Sequence, residues 1–321
     1  MRSLKTSIRV VAIALALSLS AIAPSFAEHD EASRLNLESK ELYRAGKYAA
    51  ALPLTQQLLA LREKEFGPDH AMLSTPLNDL GTIHYNLGQF AVAEPLYKRS
   101  LAITEKTYGP DHAEVASVLN NLGELYRTEE RFAEAEPLLK RSIAIREKTS
   151  GPNDPEIAMA LSNLAALYAN QRRYDKAEPL FKRALAVLAK ANGPNDPEAT
   201  VLMNNLADVY TNSRRYADAE RLLKRSIAVT EKAFGPDHPD LAQAQNNLAA
   251  VYSRQGRNRE AERFFRLSVA TMERTLGPDH PDLADVLENL AGLYKDQGRT
   301  ADAHALHKRS MAIRAKAGSP S

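Results

Sequence analysis

The chain has 321 residues, of which 44% are hydrophobic and 26% charged, with a formal net charge of +2. It contains neither Cys nor Trp, which excludes disulfides, thiolate metal sites and cysteine nucleophiles. Setting aside Arg2, Lys5 and Arg9 leaves 39 basic against 40 acidic residues, so charge gives no case for nucleic-acid binding.

Residues 1–27 read as a signal peptide. The three basic residues precede the apolar run Val10–Ala23, and Ser25-Phe26-Ala27 offers small residues at the positions a signal peptidase reads. The run falls short of the roughly 20 apolar residues of a membrane span. The expectation is an exported chain, periplasmic or secreted, with no span after cleavage. The alternative is an N-terminal anchor in the inner membrane. No Cys follows the run for lipid attachment, and no Arg-Arg pair precedes it.

From residue 67 the chain repeats every 42 residues. A Gly-Pro dipeptide opens each unit at Gly67, Gly109, Gly151, Gly193, Gly235 and Gly277. A fixed period of this length means stacked supersecondary units rather than one globular core. Residues 28–66 form an imperfect N-terminal repeat, in which Glu41-Leu42-Tyr43-Arg44 echoes Glu124-Leu125-Tyr126-Arg127. Six regular repeats fill 67–318, and 319–321 read as a disordered tail.

Each repeat reads as two helices. Val115, Leu119, Leu122, Leu125 and Tyr126 form one apolar stripe at helical spacing. Phe132, Ala135, Leu138, Leu139 and Ile143 form a second. The polar stretch Thr128–Arg131 between them is short enough to make the helices antiparallel neighbours. Equivalent turns carry Gly88, Gly256 and Gly298, suited to a left-handed residue at a helix end. At the repeat boundary, Gly151 stops a helix, Asp154 caps the next, and Pro155 sits where a missing N–H costs nothing. Pro95, Pro137 and Pro179 should kink the second helices or delay their first full turn.

The second helices place Glu four residues before a cation at Glu94/Lys98, Glu136/Lys140, Glu178/Lys182, Glu220/Lys224 and Glu262/Arg266. This is the favourable orientation for helical pairs. Lys-Arg pairs such as Lys140-Arg141 then belong to a solvated mixed-charge face. In the last repeat, the core slot of Tyr97, Leu139, Phe181, Leu223 and Phe265 becomes His307, and the slot of Phe90 and Phe132 becomes Thr300. A core slot turning polar marks a solvent-facing end.

Leu122-Gly123-x-x-Tyr126 followed by Ala135-x-x-x-Leu139 resembles the tetratricopeptide pattern, as does Leu164-Ala165-x-x-Tyr168 with Ala177-x-x-x-Phe181. A small residue recurs at Gly81, Gly123, Ala165, Ala207, Ala249 and Ala291. The longer period resembles the kinesin-light-chain type, through Asn247-Leu248-Ala249-Ala250-Val251-Tyr252, Ala261-Glu262-Arg263-Phe264 and Gly277-Pro278-Asp279-His280-Pro281. The resemblance implies an all-α fold, a right-handed α-solenoid of antiparallel helix pairs, here in a bacterial exported form. A secretory signal is out of place on a cytosolic motor subunit, so a motor role is not carried over.

No catalytic constellation is present: no His-Glu-x-x-His, no Gly-x-Ser-x-Gly and no phosphate-cradling glycine loop. His70, His112, His238 and His280 share one inter-repeat slot. Adjacent repeats displace them by about 10 Å, a helix-packing distance, so they read as caps or loop packing rather than metal ligands. The expectation is a non-enzyme without cofactor or metal.

One feature invites a functional reading. Asn121, Asn163, Asn205, Asn247 and Asn289 occupy one first-helix slot in successive repeats, with Asp79 in the first and Asn78, Asn120, Asn204 and Asn246 alongside. Asn is a poor helix-interior residue, so its recurrence needs a reason. The resemblance implies that first helices line a concave groove in which Asn grips the backbone of an extended peptide. An amide, donor and acceptor at once, suits that task. The competing role is bonding between neighbouring repeats, and the two can coexist. Thr82, Glu124, Arg127, Asp208, Gln243, Arg254, Asp285 and Lys295 flank the ladder and vary. Arg127 and Arg254 join the candidate peptide-binding residues. The expected function is a scaffold for a protein or peptide partner, monomeric alone. The alternatives are a self-assembling structural module of the cell envelope and an accessory subunit of an enzyme complex.

Overall fold

A computed structural model describes residues 30–317. The signal reading of residues 1–27 and the tail reading of 319–321 lie outside the described residues. Fourteen α-helices and one short 3-10 turn make up the described residues, which contain no strand. They come in pairs: α1 (residues 30–44) with α2 (Tyr48–Phe66), α3 (Ser74–Asn86) with α4 (Phe90–Tyr108), and α5 (Ala113–Thr128) with α6 (Phe132–Ser150). The series continues with α7 (Glu156–Asn170) and α8 (Tyr174–Asn192), α9 (Ala199–Asn212) and α10 (Tyr216–Phe234), α11 (Pro239–Arg254) and α12 (Asn258–Thr275), and α13 (Leu283–Asp296) and α14 (Thr300–Ala317). The contacts divide the chain into two compact units, one ending at Ile145 and one starting at Arg146.

Local chemistry explains the punctuation. The turn inside each pair needs one residue at positive φ. Gly88, Gly256 and Gly298 fill it, at φ 72°, 73° and 77°. Glu130, Arg172 and Arg214 take the same conformation in three other repeats, near 60°, where a Cβ makes it costly. At the repeat boundary His70, His112, His238 and His280 each accept a helix-opening N–H on Nδ1, at 3.2–3.3 Å. Three of these rings stack on the aromatic residue that ends the preceding helix, His112 on Tyr108 with centroids 4.7 Å apart. Asp154 and Asp196 do the capping where no His is present. Pro95, Pro137 and Pro179 lie inside helices that begin five residues earlier, so they do not delay the helix start.

Burial follows the apolar stripes. Val115, Leu119, Leu122, Leu125 and Tyr126 of α5 are buried, as are Ala135, Leu139 and Ile143 of α6. Phe132 and Leu138 are only half-buried, because they sit at the margin of the α6 stripe. The small-residue slot has a steric cause. A Cβ on Gly81 would stand 2.8 Å from the Tyr97 ring, and one on Gly123 would stand 2.8 Å from Leu139. Within each unit, second helices also pack on the first helix of the following pair, as α4 does on α5, α8 on α9 and α10 on α11. Within the later unit α9 touches both α7 and α11, and α11 touches α13, while successive second helices make no comparable approach. The first helices therefore form the inner layer of that unit. At the far end, His307 is exposed and lies 2.9 Å from Glu288.

Candidate functional site

The asparagines lie on the first helices, those from Asn163 onward on the inner layer of the later unit, and some of them bond across repeats. Asn121 Nδ2 donates to Asn78 Oδ1 at 3.0 Å, and Asn289 donates to Asn246 Oδ1 at 3.1 Å. Two amides in adjacent slots, 43 residues apart, thus bind neighbouring pairs together. The inter-repeat role is visible at both places. Asn120 and Asn246 are buried, whereas Asn163, Asn205 and Asn247 are half-buried and keep part of their surface towards solvent. Asn247 accepts from Gln243 at 3.0 Å on its own helix. Asn204 Oδ1 is buried without a hydrogen-bond partner.

The flanking residues separate the two units. In the earlier one they form a polar cluster. Tyr85 donates to Glu124 at 3.2 Å and lies 2.9 Å from the Thr128 hydroxyl. Arg127 donates two short bonds to Glu124, at 2.6 and 2.7 Å, which occupies the predicted binding residue with a neighbour on its own helix. Burial pushes the Asp79 carboxyl above its ordinary range, and the nearby Lys40 charge only partly offsets this. In the later unit burial likewise raises Asp208, against a bond from Asn212 and the charge of Arg254. Arg254 itself is exposed.

The most regular polar arrangement was not anticipated as such. Glu94 on α4 accepts from the hydroxyl of Tyr126 on α5 at 2.9 Å and from Arg131 at 2.7 Å. Glu178 with Tyr210 and Arg215, Glu220 with Tyr252 and Arg257, and Glu262 with Tyr294 and Arg299 repeat it. In each set the guanidinium also stands over the tyrosine ring, 3.7–4.2 Å from its centroid. The expected Glu–cation pairs along the second helices are all formed, at 2.6–2.9 Å, but Glu94, Glu178, Glu220 and Glu262 also clamp the next repeat. The bonds from Arg131 and Lys98 hold the Glu94 carboxyl down at about 2. Arg141 corrects the solvated-face reading further: it donates to the Pro110 carbonyl at the start of its own repeat at 2.8 Å and pairs with Glu105 of the preceding repeat at 2.7 Å. The recurrence of Glu, Tyr and Arg at fixed offsets was the available signal. It went unread because each residue had a sufficient role within its own helix.

The tetratricopeptide repeat profile matches residues 41–106, 73–148, 156–229, 198–273 and 240–316. The chain belongs to the tetratricopeptide repeat family. Among solved structures, it is similar to BtubC (BKLC) from P. vanneervenii at 22% identity, over 73% of this chain and 93% of that one, with a TM-score of 0.59. The quorum sensor NprR from B. thuringiensis, in its apo form, aligns at 14% identity over 86% of this tetratricopeptide chain and 74% of its own, with a TM-score of 0.71. A Rap conjugation gene regulator in complex with the Phr peptide aligns at 15% identity over 87% and 72%, with a TM-score of 0.64. At these identities the likeness is one of fold. No curated protein sequence matches the chain.

Proposed function

We propose that this tetratricopeptide protein is a non-catalytic scaffold that holds an extended peptide segment, or a protein surface presenting one, on its first-helix face. The observation that carries the reading is the half-buried amide row of Asn163, Asn205 and Asn247 on the inner layer of the later unit. Each amide offers both a donor and an acceptor, which matches the alternating groups of an extended backbone. The peptide-bound Rap regulator, of the same fold, lends support. Asn121 and Asn289 serve the stacking of repeats as well, through Asn78 and Asn246.

The test is a random-peptide display selection on the immobilised protein, repeated with Asn163, Asn205 and Asn247 all changed to Ala. Selected peptides should lose at least tenfold in affinity while the circular dichroism stays helical. Unchanged affinity, or collapse of the helical signal, would refute the peptide-grip role.

The same reading places the protein outside the cytoplasm, exported through residues 1–27 and monomeric on its own. Sequencing of the mature N-terminus after cell fractionation should begin at Glu28 in the periplasm or medium. Retention of Met1 in a membrane fraction would favour the anchored form. Among the described residues no helix is long and apolar enough to cross a membrane.

A further inference from the structure

One turn before each ladder position the first helices carry Thr75, Ser117, Met159, Val201, Gln243 and Asp285. The slot is polar at every repeat except two in succession. Met159 and Val201 are 64% and 55% exposed, two apolar side chains on adjacent first helices in a slot that the other repeats keep polar. Between them α7 and α9 enclose an open cleft of about 570 Å³. Leu188, near the end of α8, also lines it. The slot of Leu188 holds Arg146, Thr230 and Met272 in other repeats of this unit. Among the described residues, the two first-helix slots and the Leu188 slot are apolar together at this one place, beside Asn163.

We infer that the α7–α9 cleft is a specificity pocket for one large apolar side chain of a bound peptide, with a lysine or arginine next to it. The inference rests on the groove reading above and deepens it. Size selects the occupant: two exposed apolar side chains fall far short of the roughly 1,600 Å² that a stable protein interface buries, whereas the cleft admits a leucine or phenylalanine side chain. Charge selects its neighbour. The lining includes the carboxylates of Glu156 and Glu198 and no cation. Glu156 already pairs with Arg146 at 3.2 Å, so the charge that selects the neighbour is that of the exposed Glu198.

The experiment follows the methionine methyl groups. Protein labelled with methyl-13C methionine, with the Met159 signal assigned through Met159→Leu, is titrated with the acetylated peptide Gly-Ser-Lys-Leu-Lys-Ser-Gly. The Met159 signal should move while those of the exposed Met72 and Met311 stay. Replacing both lysines of the peptide by glutamate, or Val201 by Gln, should weaken the response about tenfold, and replacing the leucine by serine should abolish it. No movement of Met159, or an equal response to the lysine and glutamate peptides, overturns the proposal. So does a Met159 signal that shifts with protein concentration alone, which would assign the cleft to a second copy. The two readings fail separately. If Asn163→Ala with Asn205→Ala leaves the Met159 titration unchanged, the pocket stands and the amide grip falls. If display-selected peptides depend on the ladder but leave Met159 unmoved, the pocket falls and the groove stands.

Discussion

The clamp between repeats and the inner face of the first helices are built from the same 42-residue period, yet they vary in opposite ways. Glu220, Tyr252 and Arg257 recur as Glu262, Tyr294 and Arg299 with almost the same geometry. The inner face keeps its asparagines but exchanges the residue one turn earlier, from Met159 and Val201 to Gln243 and Asp285. A stack of identical units needs identical joints, since each joint supplies a nearest-neighbour term of stability. A surface that reads a partner has no such need, so its slots are free to diverge. Within one chain, repetition therefore marks the joint and divergence marks the reader.

The comparison can be broken most forcefully at the clamp. Tyr252 is 2% exposed, and Tyr252→Ala should cost about 3–5 kcal/mol, the loss of a buried aromatic side chain. Thermal melting would show a large drop, and a tolerated change would remove the clamp from the account. Asn289→Ala leaves the buried acceptor of Asn246 unpaired and should cost about 1–3 kcal/mol in denaturant unfolding. A null effect would free that amide for binding alone.

Two pH experiments sharpen the contrast. Glu94 has a folded-state pKa of about 2 against an ordinary 4.5. Its clamp therefore contributes fully above pH 4.5, and that stability is lost as pH falls towards 2. Glu94→Gln should flatten the acid limb of the melting temperature, and an unchanged profile would sink the assignment. Asp79 has the opposite sign. Burial raises its pKa, so the charged form costs stability at neutral pH. Asp79→Asn should raise the melting temperature at pH 7, by a margin that shrinks on acidification. A margin independent of pH would contradict that account.

The smallest effects lie at the turns and in the cleft. Arg214, at φ 60°, should gain up to about 1 kcal/mol on replacement by Gly, which relieves the left-handed strain. Val201→Gln should leave the unfolding free energy within about 0.5 kcal/mol of the parent while it changes peptide response. If Val201→Gln melts the protein as Tyr252→Ala does, the division between joint and reader is wrong.

Much of this was legible from residues alone, for a physical reason. Helix positions, the left-handed Gly88 turn, the His112 cap and the small Gly123 slot are set by neighbours a few residues away, so local spacing reports them. Glu94–Arg131 and Asn121–Asn78 span 37 and 43 residues, and no local pattern assigns such partners. Met159 and Val201 escaped notice because an apolar residue on an amphipathic helix reads as core until its exposure is known.

By itself the sequence determined the period, the helix pairs and their punctuation, the apolar stripes and the family, because those follow from intrachain spacing and residue chemistry. Only the tertiary structure decided which polar groups meet. It turned the Glu–Lys face into a clamp on the next repeat, engaged Asn121 and Asn289 in stacking, and opened the cleft between Met159 and Val201. Stacking brings residues 32 to 43 positions apart into contact, and the energy of a hydrogen bond or an apolar contact exists only once that meeting occurs.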